Sequence, residues 1–157
     1  MTLYIICGVS GSGKTTIGQA LAKRLSCPFV EGDDFHPDSN IDKMASSTPL
    51  TDADRTAWLE AITTHLKTQT HIQSVLACSA LTPYVQNFLS QAFGDKITWV
   101  KLEVSRECAK NRMESREHFM PPALLDSQFA AWTPPQSGLT ISADKPIDEI
   151  IGQIINS

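Results

Sequence analysis

The chain has 157 residues, with 13 Lys+Arg against 17 Asp+Glu for a formal net charge of -4, and is 41% hydrophobic and 19% charged. That length buries a core without disulfide or metal staples, and the acidic balance excludes broad binding to nucleic acid or anionic membranes. The four cysteines, Cys7, Cys27, Cys78 and Cys108, lack C-x-x-C spacing and read as buried reduced thiols rather than a zinc or redox site.

In chain order, the apolar run Leu3-Tyr4-Ile5-Ile6-Cys7 predicts a first strand. It is too short for a membrane span and has no basic leader before it, so no signal peptide or membrane segment is expected and the compartment is read as cytoplasmic. Directly after it, Gly8-Val9-Ser10-Gly11-Ser12-Gly13-Lys14-Thr15 fills G-x-x-x-x-G-K-[ST], the phosphate-loop or Walker A pattern, at every fixed position. Glycines let successive backbone N–H groups turn towards phosphate oxygens at a helix N-terminus, whose dipole favours negative charge. Gly8, Ser10, Gly11, Ser12, Gly13, Lys14, Thr15 and Thr16 are therefore candidates for a nucleoside triphosphate, ATP. Lys14 is placed to reach the β- and γ-phosphates, and the Thr15 hydroxyl to ligate Mg²⁺.

Ile17, Leu21 and Leu25 recur four apart and predict a helix over Thr15–Leu25. Further strands are expected over Pro28–Glu31, Ser74–Cys78, Ile97–Glu103 and Leu139–Ser142. Helices are expected over Asp52–Lys67 with Trp58, Ile62 and Leu66 inward, over Pro83–Phe93 with Tyr84, Phe88 and Ala92 as the stripe, and over Pro146–Ile155 with its five isoleucines. Strands alternating with helices indicate one α/β domain, residues 1–157, with a parallel sheet covered on both sides and ligands at the carboxyl ends of the strands.

After the second strand comes Glu31-Gly32-Asp33-Asp34-Phe35-His36-Pro37, on a segment that glycine and proline are expected to keep non-helical. Alone, this reads as a solvated acidic turn. Beside a phosphate loop, expected on the neighbouring strand, Asp33 or Asp34 becomes a carboxylate facing the γ-phosphate, able to deprotonate an acceptor hydroxyl or hold a metal's water shell. Thr51 or Asp52 is the expected cap of the Trp58 helix. Arg55, in its first turn, opposes the helix dipole and is either a salt bridge to Asp52 or Asp54 or a bidentate clamp for an acidic substrate. Ser79 emerges after Val75-Leu76-Ala77 at the same edge, to meet substrate or to cap the following helix. Ser142 to Pro146 is the candidate place for a nucleotide base.

Taken together, GVSGSGKTT at 8–16, EGDDFHP at 31–37, KMASSTPLTDADRTAWL at 43–59, CSAL at 78–81 and HFMPPALLDSQF at 118–129 resemble the gluconokinase family of small phosphate-loop kinases. The resemblance spans nearly the whole chain. It implies a three-layer P-loop NTPase fold of nucleotide-kinase type, with a five-stranded parallel sheet in order 2-3-1-4-5 and a helical lid at about 112–128. It implies transfer of the ATP γ-phosphate to the 6-hydroxyl of D-gluconate by a homodimer, with Asp33, His36 and Arg55 near the sugar acid. Arg112 and Arg116 correspond to lid arginines that close over ATP, although four-residue spacing also suits a pair of exposed helix-end cations. His118 is a substrate contact or a lid packing residue. The chain departs from the family at Ser47, where glycine is usual, at Thr82-Pro83-Tyr84-Val85, where a lysine and a tyrosine-arginine pair are usual, and in a shortened lid and 135–139 segment. The competing readings are a related small-molecule kinase, such as a shikimate-type kinase, and a nucleotide-binding regulator without catalysis.

Overall fold

The computed structural model describes residues 1–115 and 124–157. Five strands, β1 (Thr2–Cys7), β2 (Phe29–Glu31), β3 (Gln73–Ala77), β4 (Ile97–Glu103) and β5 (Leu139–Ser142), form a sheet in the order β2-β3-β1-β4-β5, every pair parallel. The central strand registers Ile5 with Leu76 on one side and with Trp99 on the other. The helices among the described residues are α1 (Lys14–Leu25), α2 (Asp38–Ala45), α3 (Asp52–Thr68), α4 (Pro83–Phe93), α5 (Arg106–Glu114), α6 (Leu125–Ala131) and α7 (Ile147–Ile155).

Strand alternation sends side chains to two covered faces. Leu3, Ile5, Cys7, Val30, Leu76 and Trp99 pack with Trp58, Leu59, Ile62 and Leu66 of α3 and Val85, Leu89 and Phe93 of α4. Ile6, Val75, Val100, Leu102 and Ile141 pack with α1 and α7 through Ile17, Leu21, Ile150, Ile151 and Ile154. A third cluster joins Val9, Met44, Leu81, Ala109, Met113, Leu124 and Leu125 at the carboxyl edge of the sheet. Cys7 and Cys78 are buried, and all four cysteines are free. Burial pushes the Cys7 thiol up to about 12 and the Cys78 thiol upward too, so both stay protonated at neutral pH.

Several local expectations are corrected. Helix α4 buries Val85, Leu89 and Phe93, one residue round from the expected stripe, and leaves Tyr84 exposed with its hydroxyl 2.7 Å from Thr56 Oγ1. The 31–37 segment is not free of helix: Gly32–Phe35 forms a 3₁₀ turn, and α2 follows at once with Pro37 at its N-cap. Here the local turn chemistry yields to burial of Gly32, Asn40 and Met44 against the rest of the fold. Nor does β2 neighbour β1, since β3 lies between them.

Candidate active site

At the carboxyl ends of β1, β2 and β3 lies a cleft of about 320 Å³, lined by loop residues Ser10, Gly11, Gly13, Lys14 and Thr15 and, across from them, by Asp33, His36, Arg55, Ser79 and Thr82. The phosphate loop is shaped by its glycines. Gly11 has φ +79°, and a Cβ there would collide with the Ala109 carbonyl, so the loop closes onto α5 only with glycine. Helix α1 begins at Lys14 with Gly13 as N-cap, has no side-chain cap and carries no acidic residue in its first turn, which leaves its positive end for an anion. The Ser12 hydroxyl is fully buried and has no hydrogen-bond partner among the described residues. These features fit a triphosphate seated on the loop.

Lys14 donates to the Val9 carbonyl at 3.0 Å. Burial lowers the pKa of its ammonium, while Asp33 and Glu31 pull it back up. The Thr15 hydroxyl donates to Glu31 Oε2, and Glu31 Oε1 accepts from the Asp33 amide at 3.4 Å. Burial raises the Glu31 pKa, opposed by its bond from Thr15. No pattern in the sequence assigns Glu31 a role. Its signal was positional, a carboxylate as the last residue of β2, and became legible once α1 brought Thr15 to that strand end.

The two acidic candidates separate. Asp33 lines the cleft, with Oδ1 3.8 Å from His36 Nε2, whereas Asp34 is exposed outside it. His36 stacks on Trp58 at a centroid distance of 4.4 Å and 10° between planes, and its Nδ1 lies 3.3 Å from Asn40 Nδ2. Trp58 Nε1 donates to the Gly32 carbonyl at 2.7 Å, locking α3 under the acidic turn. Burial lowers the His36 pKa, with Asp33 raising and Arg55 lowering it. Arg55 makes the expected salt bridge, Nη1 3.4 Å from Asp52 Oδ1, and its side chain, only 19% exposed, also lines the cleft.

The platform beneath Arg55 is a capping box. Thr51 Oγ1 accepts from the Asp54 amide at 3.2 Å, and Asp54 Oδ2 accepts from the Thr51 amide at 2.9 Å and from Lys43 Nζ at 2.8 Å. The bond from Lys43 and the backbone bond from Thr51 draw the Asp54 carboxyl down to about 2. Buried Asn40 donates to the Asp54 carbonyl at 2.8 Å and ties α2 to α3. Ser79 lines the cleft rather than capping α4, whose N-cap is Thr82. The segment between them is held in a strained shape, Ala80 at φ +44° with its carbonyl accepting from Gln86 Nε2 at 2.9 Å.

Arg112 does not point into this cleft. Its Nη1 donates to the Gly11 carbonyl at 3.2 Å and its Nη2 to the Ala143 carbonyl at 3.1 Å. It borders a separate groove with Gly13, Thr16, Ala143, Lys145 and Ile147. Arg116 and His118, with much of the expected lid, lie outside the described residues.

The family model for Shikimate kinase matches residues 10–132. The Gluconokinase of Gluconobacter oxydans is 38% identical over 159 residues, covering 96% of this chain and 88% of that protein. The Thermosensitive gluconokinase of Escherichia coli is 41% identical over 140 residues, covering 85% and 73% respectively. Among solved structures, a gluconokinase from Sinorhizobium meliloti superimposes with a TM-score of 0.87 at 34% identity, covering 99% of this chain and 90% of that one. The match to relatives of this identity and coverage, together with the phosphate loop and its facing carboxylate, makes the chain an ATP-dependent kinase that acts on a hydroxyl group and a member of the gluconokinase family.

Proposed function

We propose that the protein phosphorylates D-gluconate on its 6-hydroxyl, giving 6-phosphogluconate and ADP. One observation carries this reading: a single cleft is lined both by Lys14 and Thr15 and by Asp33, His36 and Arg55, a phosphate cradle in one cavity with a carboxylate, an imidazole and a guanidinium. An open-chain polyol acid calls for that set, a cation for the charged end and hydrogen-bonding groups for the hydroxyls. When bound, ATP supplies the transferable phosphoryl group and Mg²⁺ neutralises its charge. Thr15 would hold the cation, with Glu31 fixing the Thr15 hydroxyl. Lys14 would exchange its bond to the Val9 carbonyl for the β- and γ-phosphates.

Asp33 accepts the proton of the 6-hydroxyl as that oxygen bonds the γ-phosphorus and the bond to the β,γ-bridging oxygen breaks. Asp34, on the outer side of the turn, takes no part. Arg55 pairs with the carboxylate of the acid, His36 accepts or donates to its hydroxyls in the neutral form, and Ser79 contacts the chain. Arg112 belongs with the groove at Ala143 and Lys145, where the purine base would lie. From the resemblance we add a lid at about 112–128 with Arg116 and His118, one kinase domain over 1–157, a homodimeric state and a cytoplasmic location, which sedimentation and fractionation check.

The test is an ADP-release assay across gluconate, other sugar acids and shikimate, with the product identified by phosphorus NMR. Turnover of gluconate at the 6-position is expected. Clear turnover of another acid with none of gluconate would remove the substrate and leave the kinase.

A further inference from the structure

A phosphate loop must offer some backbone groups to its ligand, so those it does not offer need partners from the surrounding protein. Two such groups are held from far along the chain. Ser10, only 7% exposed, donates its amide to Gln128 Oε1 of α6 at 2.7 Å. The Gly11 carbonyl accepts from Arg112 of α5 at 3.2 Å. These two helices are themselves joined: Arg106 Nη1 lies 3.3 Å from Asp126 Oδ1, and its guanidinium sits 5.2 Å over the Phe129 ring. Consecutive residues of the loop are thus gripped by α5 and α6.

We propose that Gln128 is a positioning residue for phosphoryl transfer, an uncharged acceptor that fixes the acceptor-facing turn of the phosphate loop through the Ser10 amide. The choice of side chain follows from its surroundings. Gln128 lines the same cleft as Lys14 and Asp33, where the transferring phosphoryl group gathers negative charge. A carboxylate would satisfy the Ser10 N–H but repel the phosphates, and an apolar side chain would take away the oxygen to which this N–H donates. The turn it fixes also sets the Val9 carbonyl, which accepts from both Lys14 Nζ at 3.0 Å and the Ser12 amide at 3.2 Å. Loss of the Ser10 anchor therefore displaces Lys14 from the place where it meets the γ-phosphate. Small misplacements of that kind cost rate more than affinity.

This inference rests on the gluconate reading above, so the unaltered enzyme is assayed first, and variants are compared below their melting temperatures. Gln128→Leu is expected to lower kcat about 10- to 100-fold with KM for gluconate within about twofold. Gln128→Glu retains the acceptor oxygen and is expected to recover most of kcat while raising KM for ATP about tenfold, since its charge faces the phosphates. A purely structural side chain would give no such split between the two variants. A Leu variant with kcat within twofold of the unaltered enzyme, or a Glu variant with kcat no higher than the Leu variant's, overturns the proposal and leaves the gluconate reading intact. No turnover of gluconate by the unaltered enzyme overturns both.

Discussion

On the donor side of the cleft, a continuous stretch of eight residues supplies backbone amides, a lysine and a threonine, and glycine conformations set the shape. On the acceptor side, the polar groups come from β2, the 3₁₀ turn, α3 and the segment after β3, and their positions depend on side-chain packing such as His36 on Trp58 and Asn40 on Asp54. The donor side consequently tolerates few changes within a short segment, whereas the acceptor side can be retuned one residue at a time.

The sharpest way to break the donor side is Lys14→Ala, expected to lower kcat by about 10³-fold, measured as ADP release at saturating gluconate. The acceptor side should respond in KM instead. Arg55→Ala is expected to raise KM for gluconate about 10- to 100-fold, the loss of a charge-assisted hydrogen bond, with a smaller effect on KM for ATP. If both substitutions moved the same kinetic constant, the division into two sides would fail.

A weaker effect is expected from pH. His36 titrates below its ordinary 6.5 in the folded chain because burial disfavours the imidazolium. Between the folded value and 6.5 the unfolded chain binds more protons, so stability rises with pH through that window and is lost as pH falls through it. Denaturant midpoints from pH 5 to 7 should show this slope, and His36→Gln should flatten it. The smallest effect concerns Ser47, at φ +61° after α2, with its amide donating to the Met44 carbonyl at 3.1 Å. Glycine relieves the steric cost of that conformation but adds unfolded-state entropy, so Ser47→Gly should raise stability by about 0.5 kcal/mol in a denaturant titration.

Legibility in the sequence followed the same division. Five strands, a parallel sheet and the phosphate loop could be read because strand runs, glycine spacing and helix periodicity are local signals, whereas the strand order came only from the family resemblance. Helix α2 and the 3₁₀ turn could not, because Gly32 and Pro37 signal a break while the burial of Asn40 and Met44 is decided by α3 and the cleft wall. Glu31 and Gln128 stood in quoted motifs without a role. Their partners, Thr15 and the Ser10 amide, are 16 and 118 residues away. Arg112 reads in the sequence as a lid arginine or an exposed helix-end cation, and its bonds to the Gly11 and Ala143 carbonyls emerge only from the packing of α5 against the loop.

The central claim is that Asp33, on the cleft side of the acidic turn, faces both the phosphate loop and the acceptor, while Asp34 faces away. Its most direct test is the kcat for 6-phosphogluconate formation in Asp33→Asn and Asp34→Asn. Loss of the base should lower kcat about 10²- to 10⁴-fold in the first, with the second staying within about threefold of the unaltered enzyme. A large loss in Asp34→Asn beside a nearly normal Asp33→Asn would contradict the account.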